Sequence, residues 1–153
     1  MRTTLGVLAL MLTLFMPGTP SARGLVFRLE VGPSVAGNST RVKKAAVVIR
    51  SLACDPATVT MTGTAEGIVN DRRQSMPLTV VPLETPGVYA VPRIWEQGRW
   101  VLSVTATCGE RKAVAAAVVP LGPAGLLRDS IQYLERAPDA AAIEVALRAA
   151  KQG

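Results

Sequence analysis

Apolar and polar residues alternate along most of the chain between residues 25 and 121, with a period of two instead of the 3.6 of a helix. In "LVFRLEV" the apolar positions are Leu25, Phe27, Leu29 and Val31, with Arg28 and Glu30 between them. In "TVTMTGTA" Val59, Met61 and Ala65 share one face, while Thr58, Thr60, Thr62 and Thr64 share the other. In "RWVLSVTATC" the inward set is Trp100, Leu102, Val104, Ala106 and Cys108, which leaves Ser103, Thr105 and Thr107 for solvent. Successive side chains of a strand point to opposite sides of its sheet, so each stretch predicts a strand with one dry and one wet face.

Four further strands are predicted in "KKAAVVIRSLA", "SMPLTVVPL", "GVYAVP" and "KAVAAAVVP". Turn-forming segments separate the strands: "AGNST" (36–40), "EGIVNDRRQ" (66–74), "ETPG" (84–87), "EQG" (96–98) and "CGER" (108–111). Short strands with breakers at this spacing predict an all-β fold, an Ig-like antiparallel β-sandwich of about seven strands over residues 25–121. Pro77, Pro82, Pro92 and Pro120 suit strand ends and edges, because proline has no N–H to give to a central ladder.

After Pro120 the pattern changes. Leu127, Ile131 and Leu134 stand at helical spacing, and Pro138 follows. Asp139 is placed to cap a second, alanine-rich helix that carries Ile143 and Leu147 one turn apart. Residues 122–153 are therefore expected to form a C-terminal α-helical tail that packs back on the sandwich. Docking on a partner or a membrane surface, or partial disorder, are the alternatives.

The N-terminus has a different character. Arg2 is followed by the largely apolar run Leu5–Met16, and then by "PGTPSARG". That order of charged, apolar and small residues is that of a secretory signal peptide, expected over residues 1–24 with cleavage after Ala22 or Gly24. A spanning helix needs about 20 apolar residues, so a permanent anchor is the weaker reading and no stable membrane span is expected after cleavage. The mature chain is expected in the periplasm or outside the cell.

The 153-residue chain has 17 basic and 11 acidic residues; without Arg2 and Arg23 the mature part keeps fifteen basic residues and a net charge of +4. So small an excess, with few aromatics, argues against a nucleic-acid partner. The basic residues fall in pairs, Lys43-Lys44, Arg72-Arg73 and Arg111-Lys112, at predicted strand ends and turns. They read as solvated turn charge or, alternatively, as a patch for anionic lipid, polysaccharide or an acidic partner.

Two cysteines, Cys54 and Cys108, in an exported chain favour a disulfide. In an Ig-like sandwich the second and sixth strands run the same way on opposing sheets. Cys54 ends the second predicted strand and Cys108 the sixth, so both fall at one end. Cys108 keeps step with Trp100, Leu102 and Val104, whereas Cys54 is out of step with Val47 and Ile49. A bulge near Arg50-Ser51, or a strand that ends before Cys54, repairs this.

Chemistry is sparse. The chain has no histidine, which removes the commonest general base and transition-metal ligand. There is no P-loop, G-x-G-x-x-G or G-x-S-x-G, and no C-x-x-C. Glu66 with Asp71, and Glu84 with Glu96, are the loop carboxylate pairs available to acid–base work, and they read as turn residues. Met61 and Met76 offer soft copper ligands, but Met61 lies on the apolar face of its strand. "NST" at 38–40 matches a glycosylation acceptor and equally a turn. No enzyme activity, metal or cofactor is expected.

The stretch "GVYAVPRIWEQGRWVLSV" resembles the G-x-Y, then G-x-W-x-L-x-V, cadence of exported bacterial Ig-like domains of the YtkA-like and FixH-like kind, through Gly87, Tyr89, Gly98, Trp100, Leu102 and Val104. The resemblance implies an exported sandwich. Some relatives are associated with copper handling or oxidase assembly; the histidines such a role wants are missing here. Ala106 stands where a tyrosine corner needs tyrosine, and Trp100 lies on the sixth predicted strand instead of the third, so this is not an antibody-type domain. The expected function is that of a non-catalytic accessory or binding module for another exported or membrane protein; the alternative is a small-ligand or copper-type metal carrier. Asp71, Arg72 and Arg73 are the candidate polar contacts, and Leu127, Ile131 and Leu134 the candidate apolar ones.

Overall fold

The computed structural model describes residues 26–34, 43–109 and 112–152. The segment expected to be a signal peptide, the "NST" motif and Arg111 lie outside these residues. Its strands are β1 (Arg28–Pro33), β2 (Ala45–Leu52), β3 (Val59–Val69), β4 (Arg72–Pro77), β5 (Val81–Pro82), β6 (Val88–Pro92), β7 (Arg99–Cys108), β8 (Ala113–Gly122), β9 (Gly125–Leu126) and β10 (Gln132–Leu134), followed by helix α1 (Ala140–Gln152). One sheet has the order β1-β2-β6-β5, and the other β10-β8-β7-β3-β4 with β9 also on β8. All pairings are antiparallel. Leaving out β9 and β10, this is the A-B-E-D over C′-C-F-G arrangement of an Ig-like sandwich.

Alternation explains the core. Phe27, Leu29, Val47, Ile49 and Val91 from the β2 sheet meet Ala65, Trp100, Leu102, Val104 and Ala106 from the β7 sheet, all buried. The threonines of β3 face outward, as their spacing requires. Trp100 is the largest fully buried side chain, and glycine makes room for it. Gly67 stands opposite Trp100 in the ladder, and a Cβ there would come 2.3 Å from the indole. The indole N–H donates to the Glu96 carbonyl at 2.9 Å, so its one polar atom is paired.

The β7 and β8 strands depart from alternation because both of their faces are covered. Val101 and Val118 point away from the sandwich core and are fully buried against Ile143, Ala146 and Leu147 of α1. Leaving water contributes about 1.5–3 kcal/mol for a buried side chain such as Leu147. Ser103 is consequently buried, not solvent-facing. The helix starts as expected: Asp139 Oδ1 accepts the Ala142 N–H at 2.9 Å, and Lys151 lies in the last turn, where a cation suits the helix dipole.

Three expectations are corrected. Residues 127–134 are not α-helical; they run through a single 3-10 turn at Arg128–Ser130 into β10. Gln132, Tyr133 and Leu134 pair with Val118, Ala117 and Ala116. The open edge of β8 satisfies backbone groups of this segment across the sheet, and that tertiary partner outweighs the helical spacing of three apolar residues. The helical part of the tail is α1 alone.

The predicted strand "SMPLTVVPL" is divided between sheets. The turn expected over residues 66–74 is only two residues long: β3 continues to Val69 and turns through Asn70 and Asp71, both at positive φ (49° and 58°), so that Arg72 pairs with Val69. Such a two-residue turn matches the twist of a hairpin, and asparagine and aspartate tolerate it. β4 ends at Pro77, and the chain crosses to the other sheet before β5.

Candidate functional site

The two ends of the sandwich are built differently. At one end Cys54 and Cys108 are joined by a disulfide, with Cα atoms 5.9 Å apart. Cys108 is the last residue of β7, and Cys54 lies two residues beyond β2. The strand thus ends before Cys54, which resolves its phase; the β2 register shift lies at Ala45–Val47, far from Arg50. Asp55 Oδ1 accepts the Ala57 N–H at 3.0 Å, Thr58 Oγ1 donates to the Asp55 carbonyl at 2.9 Å, and the Gly109 N–H donates to the Thr58 carbonyl at 3.1 Å. These bonds close the cysteine end around its staple. Both thiols are consumed, so neither is a nucleophile or a metal ligand.

At the other end, where β2 begins and β6 and β8 finish, a cleft of about 310 Å³ opens. Lys43, Lys44 and Arg93 line its rim, and Trp95 its depth. The Arg93 N–H donates to the Lys44 carbonyl at 3.4 Å, which ties the start of β2 to the chain leaving β6. Trp95 is buried and packs on Trp100, with ring centroids 5.9 Å apart. Leu121, Gly98, Gly122 and Gly125 also line it. No carboxylate is among the lining residues. Among the described residues none of the three cations makes an ion pair.

The candidate residues do not form one site. Asp71 sits in the β3–β4 turn and Arg72 is exposed beside it. Arg73 points elsewhere: its Nε donates to Glu66 at 3.2 Å, and it also pairs with Glu144 of α1. Its pKa is raised by the hydrogen bond with Glu66 and next by that with Glu144. Arg73 is therefore a link between β4 and the helix. Ile131 packs on the inter-sheet core and Leu134 on the helix-side cluster, at opposite faces of the β7 sheet, while Leu127 is half-buried before the 3-10 turn. The carboxylate pairs likewise stay apart in role, since Glu66 is engaged by Arg73. Met61 and Met76 pack against the core.

The outer face of the β2 sheet is a second surface. Gly32, Val48, Ala90 and Val81 stand in one cross-strand row, with Glu30, Arg50 and Val88 in the next. Gly32 leaves a shallow depression of about 270 Å³ bordered by Glu30, Val48 and Arg50. No described helix covers this face. The sheet edges are guarded by contrast. β4 bears Arg72, Arg73 and Pro77, and β5 is two residues long. On the β1 edge the Val31 N–H donates to the Tyr133 hydroxyl at 3.2 Å. Short, charged or proline-bearing edges discourage strand addition.

Sequence reasoning missed Arg93 and Trp95, and read Lys43-Lys44 first as turn charge and only alternatively as an anion-binding patch. The local signal was present in "PRIW", a cation two residues before an aromatic; its meeting with Lys43-Lys44 depends on β2 pairing with β6. No protein-family model, curated protein or solved structure matches the chain.

Proposed function

We propose that the chain is an exported, non-catalytic Ig-like module, of the kind its YtkA-like and FixH-like cadence suggests, that binds another exported or membrane protein through the outer face of the β2 sheet. The observation that carries this reading is the row Gly32–Val48–Ala90–Val81, which is apolar, in register and uncovered by any described helix, with Val48 and Val81 partly exposed on either side of buried Ala90. The adjoining Glu30 and Arg50 supply polar groups to orient a partner. The guarded edges favour face-to-face contact over strand addition, and α1 and Arg73 are already engaged with the sandwich. The disulfide suits an oxidising compartment. The copper-carrier alternative loses a ligand set, because both sulfurs of the cysteines are bonded to each other.

The test is cross-linking capture from the exported fraction with the wild-type protein and with a Val48→Asp, Val81→Lys variant. One specific protein captured by the wild type and lost from the variant, with circular dichroism unchanged, supports the reading. Capture that the two charges leave intact, or no specific capture, overturns it. N-terminal sequencing of exported material is expected to start after Ala22 or Gly24.

A further inference from the structure

We propose that the cleft opposite the disulfide binds a small organic anion, a carboxylate or phosphate attached to a flat apolar body, with Lys43, Lys44 and Arg93 holding the acid group and Trp95 meeting the body. Three positive side chains surround one opening that no carboxylate lines, and a concave, weakly polarisable wall concentrates the field of such charges. Arg93 offers the forked donor geometry that suits carboxylate and phosphate oxygens, and the two lysines add mobile ammonium groups. The volume of about 310 Å³ lies at the small end of ligand pockets, which span roughly 300–1,000 Å³. A single ring carrying one acid group fits that size, and a large polyanion does not.

The cleft is also held in shape before any ligand arrives. Trp95 is buried against Trp100, whose own N–H is fixed to the Glu96 carbonyl. The backbone bond between Arg93 and Lys44 sets two of the cations on adjoining chains. Ligand binding here therefore asks for ordering of side-chain ends and little else, which keeps its entropic cost low. This site uses none of the residues of the β2-sheet face, and the two proposals fail separately.

The test is calorimetry and tryptophan emission on the purified protein, titrated with phenyl phosphate, benzoate and inorganic phosphate. Phenyl phosphate and benzoate are expected to bind saturably and to change the emission. A Lys43→Gln, Lys44→Gln, Arg93→Gln variant is expected to bind them at least about tenfold more weakly, since even one lost charge-assisted hydrogen bond carries an effect of that order. A control with Arg28→Gln and Arg72→Gln, which removes distant charge, is expected to bind like the wild type. No saturable binding, or the same weakening in the control, overturns the proposal. Inorganic phosphate binding as tightly as phenyl phosphate overturns the role given to Trp95.

Discussion

Behind the β7 sheet stands α1, and Val101 and Val118 are fully buried beneath it. Behind the β2 sheet no described helix stands, and the equivalent outward residues, Val48, Val81 and Val88, are half-buried. The two sheets share one core, yet β7 and β8 are dry on both faces, while β3 and β4 beside them and the whole β2 sheet have outward residues that reach solvent. The difference teaches where apolar residues serve stability and where they remain available to a partner. On β7 and β8 the outward valines belong to a second hydrophobic cluster. On β2, β5 and β6 they border solvent.

The disulfide is the bond that ties these unlike sheets, and removing it is the largest perturbation expected. Replacing Cys54 and Cys108 by alanine opens a link between residues 54 apart in sequence, which lowers stability by about 4 kcal/mol on the chain-entropy account. Denaturant midpoints read the loss; a change within error shows that the sheets hold together without the staple.

Truncation on each outer face sharpens the contrast directly. Leu147→Ala removes a side chain buried between α1 and the β7 sheet and is expected to lower stability by about 2–4 kcal/mol. Val48→Ala on the β2 sheet, whose side chain is partly wet, is expected to stay within about 1 kcal/mol. Equal losses in the two variants break the comparison and imply that the β2 face is packed after all.

The smallest effect concerns the polar tie between helix and sheet. Glu144→Gln removes one partner of half-exposed Arg73 and leaves Glu66 in place. The melting temperature is expected to fall slightly in low salt and not at all in about 1 M salt, where the screening length is near 3 Å. Arg73 itself has a raised pKa, so on the alkaline side its contribution persists until pH rises through the arginine range. A salt-independent fall points to helix propensity instead of the ion pair.

Strand patterning was readable wherever one face of a strand is wet. β1 and β3 show the alternation that their sequences predict, and the cysteines meet as their positions at strand ends imply. The inward set of β7 is also as predicted, except that Ser103 is buried too, because its outward face lies in the covered layer. The helix capped by Asp139 was readable from its own residues. The candidate contacts were less so. Arg73 looked like loop charge because its partner Glu144 is 71 residues away, and Leu127, Ile131 and Leu134 suggested one helical face where the chain instead divides them between two layers.

Local order in the chain was enough to decide most of the segments that become strands, which side of most of them turns inward, where α1 begins and which sulfurs pair. Those properties depend on side-chain periodicity, capping and turn chemistry, all of which act over a few residues. The capture of β10 by the edge of β8, the crossing between β4 and β5, the cover over one sheet and the gathering of Lys43, Lys44 and Arg93 around Trp95 arose only on folding. Each needs groups distant in the chain to find one another, and the free energy that selects among such meetings comes from burial and backbone pairing that no short segment provides alone.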